Sequence, residues 1–376
     1  MAKVALVHDY LREYGGAERV LEELHRLYPE APVYTAFVDQ KSLGENWQRF
    51  QDWDIRQTFL SKIPLIKKTF SPLRVLAARA FAQLDLSEFD IVISSSNAYM
   101  AKAARASKPH AKHFCYCHTP SRVLYGYTAK SHWRDRAITR FFGEIINHYM
   151  RFVDFRVAQE VGVFIANSEE TQARIKKFYH RDSSVVYPPV DTSFYNPREE
   201  EIVKKNYFLF VGRFVPYKKA DLVIEAFYKL GIELRIIGTG PEEHKLKKIA
   251  KDNVKFLGRA SDKVLFENLK SAKAVIFPSE EDFGIVPVEA MACGTPVISY
   301  GVGGATETVI SGKTGEYFFE QTPSSLIEVV KKFDSKKYKF SDLRSRAEEF
   351  SLEKFRENFR KQIDEYYADY KKKFEL

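Results

Sequence analysis

Residues 277–297 read FPSEEDFGIVPVEAMACGTPV. An apolar strand runs into a loop that carries carboxylates and a glycine, and the loop opens a helix with Pro287 in its first turn. Proline fits there because the first helical N–H groups have no intrahelical acceptor and the ring presets φ. The amides of Gly284, Ile285 and Val286 then point out of a helix N-terminus, where aligned peptide dipoles favour an anion such as phosphate. Glu281 precedes these amides, and Glu289 follows them in the first turn. Carboxylates do not ligate an anion, but they accept hydrogen bonds from the hydroxyls of a sugar or a ribose. A nucleotide sugar supplies all of these groups.

Working outward, strand and helix patterns alternate on both sides of this stretch. After it come a strand at 297–299 and a helix at 324–333; before it come strands at 208–211, 234–237, 254–257 and 274–277 and helices at 220–230, 242–251 and 263–272. The first half shows strands at 3–7, 91–94, 113–116 and 163–166. Its first helix, 17–27, repeats Val20, Leu21, Leu24 and Leu27 at helical spacing, and Ser168 is placed to cap the helix after 163–166. Such alternation predicts parallel sheets covered on both faces, with ligands at the carboxyl ends of strands. At 376 residues the chain exceeds the size at which one core keeps growing. Tyr187-Pro188-Pro189-Val190-Asp191 enforces an extended segment, so the linker is expected there. The expected domains are 1–187, 188–350 and a terminal helical segment 351–376, whose periodicity alone does not say which domain it joins.

Several polar groups fall at strand ends. Gly212, Arg213 and Lys218 follow the strand at 208–211, and a planar guanidinium with a mobile ammonium suits a diphosphate that gains charge as it leaves. A pair of solvated cations is the plainer reading, and for Lys219 it suffices. Gly15 and Gly16 stand between the first strand and its helix, where the missing Cβ lets backbone approach a ligand; a simple turn is the alternative. Gly238-Thr239-Gly240 lacks the third glycine of a dinucleotide fingerprint and reads as a tight turn. His118 ends a strand, which directs it toward a ligand rather than into the core. Glu307 reads as a loop or helix-cap carboxylate.

The spacing of Glu281 and Glu289 resembles the E-x7-E motif of retaining glycosyltransferases of family 4. Gly15-Gly16, Cys117-His118-Thr119-Pro120, Pro188-Pro189-Val190-Asp191, Gly212-Arg213 with Lys218, Gly238-Thr239-Gly240-Pro241 and Gly303-Gly304 follow in that family's order. The resemblance implies an α/β GT-B fold, two Rossmann-like doubly wound domains facing each other across a cleft, with the last helix crossing back to the first. It implies His118 against the transferred sugar, with Glu281, Arg213 and Lys218 as the other catalytic residues. Donor binding then falls to Gly15, Gly16, Gly284, Ile285, Val286 and Glu289. Attack would come from the face that the diphosphate leaves, because no carboxylate nucleophile stands in a comparable motif of the first domain, and with Arg213 and Lys218 on the diphosphate no metal or other cofactor is expected. His8-Asp9-Tyr10 with Gly15-Gly16-Ala17-Glu18 looks most like mannosyltransferases of surface-polysaccharide assembly, so GDP-mannose is the expected donor. Alternatives are a UDP-sugar transferase, a sugar epimerase of the same architecture, and a catalytically silent nucleotide-sugar-binding partner.

Composition limits the other classes. The net charge of +9 calls for an anionic partner. No RNP, zinc-finger or helix-turn-helix signature accompanies it, so no nucleic-acid partner is expected and a basic RNA-associated protein is the weaker reading. No run of about eighteen apolar residues and no targeting pattern appear, which gives a cytoplasmic expectation. The three cysteines, including Cys115-x-Cys117, read as core thiols. Asp52-Trp53-Asp54 matches the D-x-D pattern of metal-dependent transferases, but it lies far from any glycine-rich loop and reads as a surface turn. Residues 56–84 carry no acid. Within them, 59–70 mixes Phe59, Leu60, Ile63, Leu65, Ile66 and Phe70 with Lys62, Lys67 and Lys68 around Pro64. That mixture predicts a surface patch able to meet an anionic bilayer and a polyprenyl-diphosphate-linked acceptor on the inner face of the membrane.

Overall fold

A computed structural model describes residues 2–97, 100–107, 111–127 and 137–373. The chain forms two compact units. One holds the described residues of 1–127, 133–189 and 355–376, and the other holds Val190–Lys354. The division falls after the paired prolines, where neither a helix nor a strand can continue.

In the first unit, seven parallel strands run β1 (Val4–His8), β2 (Val33–Thr35), β3 (Ile55–Gln57), β4 (Ile91–Ser96), β5 (Lys112–Cys117), β6 (Val163–Ala166) and β7 (Ser183–Val185). Their order in the sheet is β3-β2-β1-β4-β5-β6-β7. Side chains alternate across the pleat, and each face has its own core. Ala5, Val7 and Val92 pack with Phe37, Leu60, Phe81 and Met150 on one side. Leu6, Ile91, Ile93, Phe114 and Tyr116 pack with Val20, Leu21 and Leu24 on the other. Phe355, Phe359 and Ile363 of the terminal helix Leu352–Lys373 belong to that second core, and Arg356 Nε donates to Glu23 at 2.6 Å. Each such buried side chain contributes roughly 1.5–3 kcal/mol, which ties the last helix to the first unit.

The second unit has six parallel strands, β8 (Tyr207–Val211), β9 (Glu233–Ile237), β10 (Val254–Gly258), β11 (Val275–Phe277), β12 (Val297–Tyr300) and β13 (Gly315–Phe318). They are ordered β10-β9-β8-β11-β12-β13. In each sheet the strand order reverses beside the first strand, between β1 and β4 and between β8 and β11. Doubly wound α/β folds gather ligands at such switch points.

Two features depart from the sequence reading. Within 59–70, Leu60 and Ile66 are buried, and Ile63 and Phe70 pack against the same core. Of the segment's six large apolar side chains only Phe59 and Leu65 are exposed, and Leu65 has a left-handed backbone (φ 59°). The expected apolar patch is therefore mostly core, and Lys68's side chain lies outside the described residues. The second departure is the helix Ala137–Glu160, which the strand-by-strand reading passes over. It buries Asn147 and Asp154 and exposes Phe141, Phe142, Ile145, Tyr149 and Phe152. Asn147 Oδ1 and Asp154 are satisfied from the unit itself, while Asn147 Nδ2 is buried without a hydrogen-bond partner among the described residues. Arg74 Nη2 donates to Asn147 Oδ1, and Asp154 accepts from Lys102 Nζ at 2.6 Å and from the Tyr125 and Tyr179 hydroxyls at 2.9 Å each.

Candidate active site

In the second unit the site grows from the loop between β11 and the helix Ile285–Ala292. Gly284 caps that helix at φ +93°, and a Cβ there would stand 2.9 Å from the Phe277 ring, so backbone and space both require glycine. Pro287 is the helix's third residue, and the N–H groups of Gly284, Ile285 and Val286 precede any intrahelical acceptor. Glu281 in this loop takes two donors on one oxygen. Lys218 Nζ and the Ser279 hydroxyl reach its Oε1 at 2.5 Å and 2.6 Å. Lys218 comes from the turn Pro216–Lys218 after β8, and the next residue, Lys219, adopts φ 55°, a conformation uncommon outside glycine. Arg213 is exposed on the same connection. Glu289 falls at the fifth residue of its helix, in the second turn rather than the first, and only 2% of it is exposed.

The glycine pairs of this unit act on backbone. Gly304 N–H donates to the Glu281 carbonyl at 2.8 Å. A Cβ on Gly303 would lie 2.6 Å from the Glu281 carbonyl oxygen, and one on Gly304 would lie 2.3 Å from Phe283 Cα. The loop after β12 thus presses directly on the loop that carries Glu281. In the same way a Cβ on Gly238 would lie 1.9 Å from the Gly212 carbonyl oxygen, and one on Gly240 would lie 2.6 Å from that of Phe214. Gly238-Thr239-Gly240 is accounted for by this close approach to the connection that leads to Lys218.

In the first unit, polar residues meet at the carboxyl ends of β1, β4 and β5. The Ser95 hydroxyl lies 2.8 Å from His118 Nε2 and 3.1 Å from His8 Nδ1. His8 Nε2 is 3.6 Å from Glu18 Oε1, and Glu18 Oε2 accepts from the Gly15 N–H at 2.8 Å. A continuous polar chain therefore joins Gly15, the residue before the helix Gly16–Leu27, to His118. Gly15 is held by a capping interaction with Glu18. Burial, and then the neighbouring His8, push the His118 imidazole down to about 3, so it is neutral near pH 7. His113, buried against the Ser94 hydroxyl at 2.8 Å, is pushed down to about 4 by desolvation. His8, Ser95 and Glu18 were not picked out as site residues from the sequence. Their contacts join residues 87 and 23 positions apart, a pairing that no local pattern encodes.

Residues 14–194 match the sequence profile "Glycosyltransferase Family 4", and residues 192–351 match "Glycosyl transferases group 1". Each unit thus matches a glycosyltransferase profile, and the chain has the GT-B fold. Human alpha-1,3/1,6-mannosyltransferase ALG2 is 27% identical over 281 residues, covering 65% of each chain. A D-inositol 3-phosphate glycosyltransferase of Mycolicibacterium smegmatis is 33% identical over 184 residues, 43% of this chain and 42% of that one. These matches take in 42% and 65% of the curated relatives' own length. The crystal structure of Anabaena HepE in complex with UDP-glucose shares the fold with a TM-score of 0.72 at 19% identity, covering 97% of this chain and 100% of that one.

Within this glycosyltransferase fold, the D-x-D residues stand apart from the strand ends that carry the site. Asp52 is exposed, and Asp54 pairs with Arg56 at 2.8 Å beside Trp53, which stacks on His25. Among the described residues no group of three His, Cys, Asp or Glu side chains is arranged to hold a metal. Cys115, Cys117 and Cys293 are buried thiols, and burial pushes the Cys115 thiol up to about 12. Glu307 sits in the first turn of the short helix Ala305–Thr308, and Arg346 donates to its backbone carbonyl.

Proposed function

We propose that this protein is a retaining hexosyltransferase that takes a sugar from a nucleoside-diphosphate sugar. The observation that carries the reading is the Lys218–Glu281–Ser279 cluster at the start of the Ile285–Ala292 helix. Both protein donors fall on Oε1, and Oε2 is the acceptor for hydroxyls of the transferred sugar. Arg213, Lys218 and the amides of Gly284, Ile285 and Val286 stabilise the departing diphosphate. The acceptor hydroxyl attacks the anomeric carbon from the face that the diphosphate leaves. The bond from that carbon to the phosphate oxygen breaks, and the hydroxyl proton passes to a phosphate oxygen. Glu289 binds the ribose, and Gly15 and Gly16 allow backbone to approach the donor. Neutral His118 contacts the sugar and is a poor proton acceptor near pH 7.

GDP-mannose is the donor this reading favours, supported by the likeness to ALG2, a named mannosyltransferase. UDP-glucose is the second reading, because HepE of the same fold binds it. A polyprenyl-diphosphate-linked glycan is the proposed acceptor, met in the cytoplasm at the inner face of the membrane in polysaccharide or O-antigen assembly. Among the described residues, no helix is long and apolar enough to cross a membrane. A thermal-shift panel of GDP, UDP and ADP sugars, followed by NMR of the product anomer with excess EDTA present, tests the function. Stabilisation by GDP-mannose above the others and a retained anomeric configuration are expected. An inverted product contradicts the mechanism, and a strict Mn2+ or Mg2+ requirement returns attention to Asp52 and Asp54.

A further inference from the structure

The helix Ala137–Glu160 packs Met150, Val153, Val157 and Ala158 into the cores of its unit, yet its outward face is also apolar. Asn147 and Asp154 are fully buried beside Met150 and Ala158, whereas Phe141, Phe142, Ile145, Ile146, Tyr149, Phe152 and Phe155 are 37% to 65% exposed. These seven recur at three- and four-residue spacing and therefore share one broad stripe. At about 1.5 Å per residue the stripe extends roughly 21 Å from Phe141 to Phe155. Isolated apolar side chains on a surface are ordinary, but a contiguous aromatic stripe marks an interaction site.

The charges around the stripe select its partner. Arg140 and Arg156 are exposed on the same helix. The adjoining segment, joined to this helix by Arg74–Asn147 and by a core shared between Ile66 and Met150, exposes Lys62, Lys67 and Arg79 and contains no acid. The helix's own acids are engaged elsewhere: Asp154 is buried with Lys102, Glu160 pairs with Arg105, and Glu144 is half-buried with a partner. Exposed Leu65 adds a further apolar group beside those cations. A second copy of the chain would set this cationic rim against an identical one, which opposes an isologous contact. An anionic bilayer satisfies both features, since Phe and Tyr enter the headgroup and acyl boundary while Lys and Arg meet lipid phosphates.

We propose that the 141–155 face of this helix, with its cationic rim, docks the protein on an anionic phospholipid surface, the stripe lying in the interface plane. This goes beyond the transfer reaction and depends on neither the donor nor the acceptor. The test is co-sedimentation of the full chain with phosphatidylglycerol–phosphatidylcholine vesicles that contain no glycolipid, compared with phosphatidylcholine alone. Binding that requires the anionic lipid and fades with salt is expected. The triple substitution Phe141→Ser, Phe142→Ser and Phe152→Ser is expected to weaken it by roughly a hundredfold or more, with an unchanged melting temperature because these side chains lie outside the core. Arg140→Glu with Arg156→Glu should weaken it about tenfold and flatten the salt dependence. No binding of the wild type at low salt, or equal binding by the triple variant, overturns the proposal. So does a wild-type dimer in ultracentrifugation that the triple variant dissolves while vesicles fail to bind.

Discussion

Each unit carries a polar cluster at its strand ends, and the two clusters are built from opposite materials. In the first, His118, Ser95 and His8 are buried, hydrogen-bonded and, for His118, held neutral. In the second, Lys218 and Glu281 form a charged pair whose side chains keep 12% and 18% of their surface, with Arg213 exposed on the same connection. A neutral, desolvated cluster is rigid and discriminates by shape and hydrogen bonding. A part-exposed charged cluster instead responds to the charge of what it binds. In the proposed function the first unit's cluster suits a neutral sugar and the second unit's cluster an anionic diphosphate.

The contrast breaks most severely if the second unit's loop is displaced. Gly304→Ala puts a Cβ against Phe283 Cα and Asp282 O and moves Glu281 with its loop. Turnover should fall by at least about a hundredfold, because displacement of a positioned catalytic group by an ångström costs that much. Steady-state rates decide this, and a variant with wild-type turnover would show that the glycine contact does not hold Glu281 in place. A smaller effect is expected from the cations. Arg213→Ala or Lys218→Ala should weaken nucleoside-diphosphate binding by roughly tenfold to a hundredfold, the loss of one charge-assisted hydrogen bond, as read by calorimetry. Equal affinity in both variants and the wild type would refute the diphosphate role.

Much of this was legible in the chain. The stretch 277–297 showed the helix start and Glu281, because glycine at a left-handed cap and proline in a first turn each have a backbone reason. The glycine at 304 was visible as a motif, yet its role was not, since contact with Phe283 is a product of the sheet order that sets β12 beside β11. His118 was legible as a strand-end residue, whereas its partner His8 lies on another strand. The patch expected at 59–70 failed for Leu60 and Ile66 because a mixed apolar and basic segment does not reveal which side chains the core takes. For the helix Ala137–Glu160, periodicity defines a stripe but not the direction in which it faces. Lys102 and Arg74 pull its polar side inward.

The neutral character of the first unit can be tested through pH. His113 and His118 have depressed values when folded, about 4 and about 3, whereas both titrate near 6.5 when unfolded. The stability they lend is complete above about pH 6.5. It is lost as pH falls toward 4, at up to about 1.4 kcal/mol per pH unit for each histidine. Urea denaturation at a series of pH values should show the slope, and His113→Gln should reduce it by about half. A stability independent of pH between 6.5 and 4.5 would contradict the burial of neutral imidazoles.

The central claim is that Lys218 and Glu281 work as one unit, the lysine on the diphosphate and the carboxylate on the sugar. A double-mutant cycle on kcat/KM with Lys218→Ala, Glu281→Gln and the pair measures it directly. Residues in contact couple by about 0.5–3 kcal/mol, so the double variant should lose clearly less activity than the product of the two single losses. Strict additivity would contradict the account.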